Sequence, residues 1–346
     1  MSLKSLAAQL QLSPTTVSRA LNGYPEVNEA TRRRVAEAAK RLGYAPNMRA
    51  RALATGRAMA IGHVLTLSGR HELVNPVFAD FIMGAGEIYA RNGYDLVLHI
   101  APDDDDARAY RDLRAKGNVD GVIVHAPRLN DPRIALLTDI GLPFVLHGRA
   151  EGVELPYSWT DVNNLRAFRR ATDFLLDLGH RRIALINGPA ILGFAQRRRA
   201  GFVEALAACG IAPDPDLIVS GPMTEALGAE SAAHLLDLPD PPTAFLTASL
   251  LLALGVRRTI EGRGLRMGRD VSVLTFDDDF TYLKNGGEVP MFTATRSSVR
   301  EAGGRAAQML LDLIASHDPQ PRHDLLEAEL IVGQSTGPAP AAGAQP

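Results

Sequence analysis

From about residue 60 onward the chain alternates short apolar runs with helix-patterned stretches, and this alternation constrains its fold more than any other feature. AIGHVLTL, YDLVLHI, DGVIVHA and PFVLH are β-like runs separated by FADFIMGAGEIYARNG and ARAYRDLRAKG. A second series, RRIALIN, DLIVS, PTAFLT and VSVLTF, follows with its own helical stretches, among them RRRAGFVEALAACG and SLLLALGVRRTIEGRG. Strands that are apolar throughout, rather than alternating with polar residues, belong to parallel sheets covered by helices on both faces. Two such series imply two α/β lobes with a cleft between them. A chain of 346 residues has room for both lobes and a further small domain.

Several function classes are excluded early. One cysteine, Cys209, allows neither an intrachain disulfide nor a two-cysteine metal or redox motif. No apolar run approaches the roughly 18 residues that would suggest a membrane span. The opening MSLKSLAAQLQLSPTT carries one lysine and no long apolar stretch, unlike a secretory signal, so a cytoplasmic protein is expected. G-x-S-x-G, HExxH, phosphate-loop and Cys–His nucleophile patterns are missing. We therefore expect no enzyme activity, no cofactor and no metal, and read the acidic run Asp103 to Asp106 as a solvated helix start.

The net charge of −2 conceals an asymmetry. Residues 1–60 hold ten Lys/Arg against three Glu, or +7, leaving 27 basic and 36 acidic residues, or −9, for the remainder. A small basic head on an acidic body suggests a nucleic-acid module joined to something that need not touch nucleic acid. Within the head, LKSLAAQL places Leu3, Leu6, Ala7 and Leu10 on one helical face. Ser13-Pro14-Thr15-Thr16 reads as a second helix start, with Ser13 as N-cap and Pro14 where a missing N–H is harmless. A third helix begins after Asn28, turns Val35, Ala38 and Leu42 inward, and ends at Gly43. Two short helices joined by a tight turn with a third packed on them form the helix-turn-helix pattern; a generic three-helix module has the same pattern.

The string LSPTTVSRALNGYPEVNEATRRRVAEAAKRLGYAPNMRARALATGR closely resembles the DNA-binding head and hinge of the lactose-repressor (LacI/GalR) family. The resemblance runs over roughly residues 2–336. It implies an all-α helix-turn-helix head (1–46), a hinge helix (47–57) and an α/β periplasmic-binding-protein-like (type I) bilobed effector domain (58–336); the Pro/Ala/Gly-rich composition of the tail (337–346) predicts disorder there. The lobes would comprise about 58–160 with 297–318, and 161–296 with 319–336, the chain crossing near 158–163, 285–297 and 317–324. One departure is Gln11, where the family usually has Gly in the turn. The resemblance places Pro14, Thr15 and Arg19 at base-reading positions, and Ser13, Thr16, Ser18, Asn22, Thr31, Tyr44 and Asn47 at backbone-contacting positions. Arg19 could donate two bonds to a guanine edge. The hinge, with only about two helical turns, is too short to be stable alone, and Ala50 and Leu53 fall at its minor-groove positions.

The same resemblance carries candidate effector contacts: Asn75, Phe78, His125, Arg149, Trp159, Asp161, Arg198, Ser249, Asp277 and Ser297. Here too the chain departs from the pattern, with Gly148 where a strand-end Asp is common, Ser249 for a usual Asn, and Ser297 where Gln is frequent. A carboxylate accepting two vicinal hydroxyls, an arginine donating to oxygens and an aromatic covering an apolar face suit a neutral sugar. The strings PFVLHGR, GHRRIALINGP, PPTAFLTAS and TRSS are similar to a branch associated with α-glucosides and related oligosaccharides. The resemblance implies a homodimeric transcriptional repressor on a pseudo-palindromic operator, released by a small sugar. A corepressor-dependent repressor or an activator uses the same parts, and a sugar-binding transport protein is the competing class.

Overall fold

The computed structural model describes residues 2–21, 24–44, 57–66, 75–102 and 105–340. It divides into two units, Met1–Met59 and Ala60–Pro346. In the first, α1 (Leu3–Leu10), α2 (Pro14–Leu21) and α3 (Glu29–Arg41) bury Leu6, Ala7, Leu10, Val17, Ala20, Val35 and Ala38 against one another. Capping sets the helix ends. Ser13 Oγ accepts from Thr16 N at 3.0 Å, and Asn28 Oδ1 accepts from Thr31 N at 2.8 Å. Gln11 closes α1 with φ at 52°, so the residue that replaces the family's Gly does stand in the left-handed region.

The second unit holds two six-stranded sheets. Its first lobe is built from β1 (Ala60–Thr66), α4 (Pro76–Arg91), β2 (Asp95–Ala101), α5 (Asp106–Lys116), β3 (Gly121–Val124), α6 (Pro132–Asp139), β4 (Phe144–His147) and β5 (Ser158–Val162). The second lobe continues with α7 (Asn164–Asp177), β6 (Ile183–Asn187), α8 (Gly193–Ala208), β7 (Ile218–Ser220), α9 (Glu225–Leu236), β8 (Ala244–Thr247), α10 (Leu250–Gly262), β9 (Ser272–Asp277) and β10 (Thr293–Arg296). Then come α11 (Val299–Ala315), β11 (His323–Leu326) and β12 (Glu329–Ile331). The sheet orders are β11-β5-β4-β3-β1-β2 and β12-β10-β9-β8-β6-β7, parallel throughout except for the antiparallel β10–β12 pair. The repeated central order is the doubled α/β series of the sequence, now seen as two sheets.

Two boundaries differ from expectation. Because β11 pairs in parallel with β5, residues 323–326 belong to the first lobe, and the last crossing falls between β11 and β12 instead of near 317–324. The part of 319–336 assigned to the second lobe is thereby reduced to its end. The tail is also ordered further than expected: Ala339 N donates to Leu178 O at 2.8 Å, and Gly337 bonds Ser272 Oγ and His180. Residues 341–346 and the hinge residues 47–56 lie outside the described residues.

Close helix packing shapes the first lobe. A Cβ on Gly303 of α11 would lie 2.2 Å from Phe81 O of α4, and one on Gly84 would lie 1.9 Å from Arg300 O. Only hydrogen fits at either place, so these glycines set the helix separation and with it the position of Phe81.

Candidate functional site

Between the lobes lies a cavity of about 180 Å³. Its walls come from the C-terminal ends of strands in both sheets, the place where open α/β sheets bind ligands. The first lobe contributes Phe78 and Phe81 from α4, His125 after β3, His147 closing β4 and Asp161 of β5. The second contributes Phe194 and Arg198 of α8, Met223, Phe276, Asp278 and Ser297.

The polar groups divide into two clusters. On the second lobe, Arg198 donates to Asn164 Oδ1 at 2.7 Å and to Ala248 O at 2.6 Å. Its guanidinium is also enclosed by Phe168, Phe194 and Phe276 at 5.0, 4.9 and 4.1 Å. Burial lowers its pKa to about 10, and it remains a cation. Asp278 faces the same space. Burial raises its carboxyl to about 7, against the pull of Arg198 and with repulsion from Asp277 and Asp80. Among the described residues the buried Ser297 Oγ has no hydrogen-bond partner, a donor or acceptor left for something else.

The first-lobe wall is a histidine and aromatic cluster. His125 is packed by Phe78, Phe81 and His147 at ring distances of 5.1, 4.9 and 5.9 Å. His63 of β1 stands behind it, with Nδ1 2.9 Å from His125 Nε2 and Nε2 3.1 Å from Tyr89 Oη. Burial keeps all three histidines neutral: it lowers His63 to about 3 and His147 to about 4, and holds His125 well below its ordinary value.

Bonds across the cleft hold the lobes closed. Thr281 donates its amide and hydroxyl to Asp80 at 2.8 and 2.5 Å. On the other side, Leu129 N donates to Ile191 O and Gly193 N to Pro127 O, both at 3.1 Å. Arg197 joins this second seam, donating to Glu151 at 2.6 Å. Its Nη2 also lies 3.0 Å from Asp161 Oδ2, an ion pair whose angle does not make a hydrogen bond. Ala126, Asn130 and Asp279 all carry positive φ beside the cavity or this seam. Non-glycine backbone of that kind concentrates at ligand sites.

Of the expected contacts, Asn75, Phe78, His125, Asp161, Arg198 and Ser297 border the cavity, Asn75 while also capping α4 through Val77 N. Four do not. Asp277 turns away to accept from Arg296 at 3.0 Å and from Asp279 N, and the cavity takes Asp278 in its place. Ser249 is the buried N-cap of α10, bonded to Leu252 N. Arg149 folds onto Asp161 at 2.8 Å and over Trp159 at 4.9 Å. Trp159 stacks on His323 at 4.8 Å. Gly148, at φ 105° and with a Cβ position 2.9 Å from Pro127, has no space for the strand-end Asp of the family pattern. Sequence reasoning had not singled out His63, Phe81, Asn164, Phe194 or Asp278 as site residues.

On the head, Pro14, Thr15 and Arg19 are exposed along α2. The Ser13 and Thr16 hydroxyls bond each other at 2.8 Å, and Tyr44 is half-buried against the head's core. Ser18 and Thr31 are half-buried, and Asn22, Asn47, Ala50 and Leu53 lie outside the described residues.

A three-helix head with an exposed, positively charged second helix, and a body of two lobes around a closable cavity, define a ligand-responsive DNA-binding regulator. The chain belongs to the lacI family of bacterial regulatory proteins. The lacI-family model matches residues 2–47, and a periplasmic binding protein-like domain model matches residues 172–336. The HTH-type transcriptional regulator AglR of Rhizobium meliloti (strain 1021) is 45% identical over 98% of this chain and 95% of its own length. Among solved structures, a complex of the transcriptional regulator CelR with cellobiose is 32% identical, with a TM-score of 0.72 over 97% of this chain and 99% of that one. The Lac repressor dimer bound to operator and the anti-inducer ONPF shares the fold at a TM-score of 0.81, with 24% identity over 97% and 99% of the two chains. Among the described residues, no helix is long and apolar enough to cross a membrane.

Proposed function

We propose that this regulator is a cytoplasmic, homodimeric repressor of a sugar-utilisation operon, bound to a pseudo-palindromic operator and released when a small neutral sugar, an α-glucoside or related oligosaccharide, fills the cavity. The observation that carries the reading is the cavity's composition: Arg198, Asp278 and the unpartnered Ser297 hydroxyl face aromatic rings of Phe78, Phe81 and Phe276. Donors and acceptors at one wall with apolar rings around them suit hydroxyls on one edge of a sugar and C–H on its face. The CelR relative solved with cellobiose supports a sugar in this fold.

A second copy finds a fitting surface in the first lobe. Leu96, Leu98 and Ile100 project from edge strand β2 at 36, 41 and 47% exposure, with Met83 of α4 at 54%. An apolar strip of this kind marks an interaction face. In the proposed cycle, sugar-bound closure alters how paired first lobes meet. The two hinge segments, marginal alone, then lose their mutual support, with Leu53 withdrawing from the minor groove.

Operator binding measured with and without glucose, maltose, sucrose, trehalose, cellobiose and a galactoside tests this. One sugar should weaken operator affinity by roughly 5- to 150-fold, the range of ordinary coupling energies. Tightening would reverse the sign and make the sugar a corepressor; no response to any sugar overturns the reading.

A further inference from the structure

Behind the cavity wall runs a chain of three buried side chains whose protons have one consistent arrangement. Tyr89 is almost wholly buried, and burial raises its phenol well above its ordinary value, so the hydroxyl keeps its proton. Among the described residues the hydrogen-bond partner of that hydroxyl is His63 Nε2. A buried O–H without an acceptor costs free energy, so Tyr89 donates and Nε2 accepts. His63 is neutral and carries one ring proton, which must therefore sit on Nδ1 and point at His125 Nε2, 2.9 Å away. His125 Nε2 then accepts. Since His125 is neutral too, its own proton is on Nδ1. Among the described residues His125 Nδ1 has no hydrogen-bond partner, and His125 borders the cavity.

We propose that Tyr89 and His63 are positioning residues that fix His125 as an N–H donor toward the cavity, so that the effector is recognised there through an oxygen acceptor. This rests on the effector role proposed above and adds a selection rule to it. At the histidine wall a hydroxyl can be received only through its lone pairs, and a ring or glycosidic oxygen is received equally well. Asp278, when ionised, selects donors at the opposite wall. Ligands presenting only N–H groups to His125 are rejected, because two donors would face each other. Neither Tyr89 nor His63 touches the effector; they act through His125.

The tautomers can be read without any ligand. In the full chain labelled with 15N-histidine and deuterated, long-range 1H–15N correlation at pH 7 should show His63 and His125 both neutral and both protonated at Nδ1. A wild-type His125 protonated at Nε2 overturns the relay outright, with no variant needed. Tyr89→Phe removes the terminal donor and should populate the second tautomer of both rings; unchanged spectra would also overturn it. Calorimetry with maltose and cellobiose supplies the ligand arm. For whichever sugar binds, Tyr89→Phe should weaken affinity roughly three- to tenfold, the size of one ordinary hydrogen bond. In a His125→Asn background the same change should have no further effect. Equal losses in both backgrounds would mean that Tyr89 only packs. Wild type that binds neither these sugars nor the rest of the panel, yet shows the stated tautomers, supports the relay and overturns the sugar reading instead.

Discussion

Asp277 and Asp278 are one residue apart and do different work. Asp277 accepts a hydrogen bond from Arg296 at 3.0 Å, whereas Asp278 faces the cavity with a carboxyl raised from its ordinary 3.8 to about 7. Between those values the folded state holds a proton that the unfolded chain has lost, so the term favours folding at acid pH and is lost as pH rises toward 7. Ligand binding should move oppositely. A sugar hydroxyl donates to the ionised carboxylate, so effector affinity should rise as pH passes from 6 to 8, and Asp278→Asn should flatten that rise. Calorimetry across this range checks it; a pH-dependent affinity that persists in Asp278→Asn assigns the titration elsewhere. Asp277→Asn should lower thermal stability with little change in affinity. On the DNA side, Arg19→Ala should cost about 1–3 kcal/mol and relax preference at one symmetric base-pair position; equal loss on every sequence would make Arg19 a phosphate contact.

The choice between these two aspartates was beyond sequence reading. Every residue of β9 is buried, so no inside–outside alternation indicates which carboxylate faces the cleft. His63 was hidden for a similar reason: it lies inside an apolar parallel strand, and its partner is 62 residues away. Arg198 and Asp161 were legible because each belongs to a recognisable string. The two-lobe layout was legible from repeated apolar runs alone.

At the level of elements, the cavity depends on how closely α4 and α11 approach. Phe81 O lies 2.2 Å from where a Cβ on Gly303 would stand, and the Phe81 ring stacks on His147 at 4.3 Å. Gly303→Ala should therefore push the helices apart and displace the aromatic wall. Overpacking of this kind costs typically about 1–3 kcal/mol. Urea unfolding should show the loss, and effector affinity should fall with it; unchanged stability would mean that the helices can part without cost. The third crossing shows what periodicity cannot give. HDLL and ELI are both short and half-exposed, and only strand pairing reveals that the first joins β5 and the second joins β10.

At the scale of the molecule, the two seams closing the cleft are unequal. One combines backbone bonds with the Arg197–Glu151 and Arg197–Asp161 pairs, so no single side chain controls it. The other depends on one carboxylate, Asp80, receiving both the amide and the hydroxyl of Thr281. Removing it leaves those donors without their partner and opens that side first. Hydrogen bonds to a charged group contribute about 1.5–3 kcal/mol each, but water can take over part of this at an exposed rim. A ligand that binds the closed form has its apparent affinity reduced by the fraction of molecules that are closed. Asp80→Ala should therefore raise the radius of gyration without ligand, return to the wild-type value at saturating sugar, and weaken sugar affinity about tenfold. Because the open form is the operator-binding one in the proposed cycle, operator affinity without sugar should rise, and more sugar should be needed for release. X-ray scattering paired with operator titrations measures all five. Identical scattering and identical release curves for the two proteins would place the control of closure entirely in the Arg197 seam.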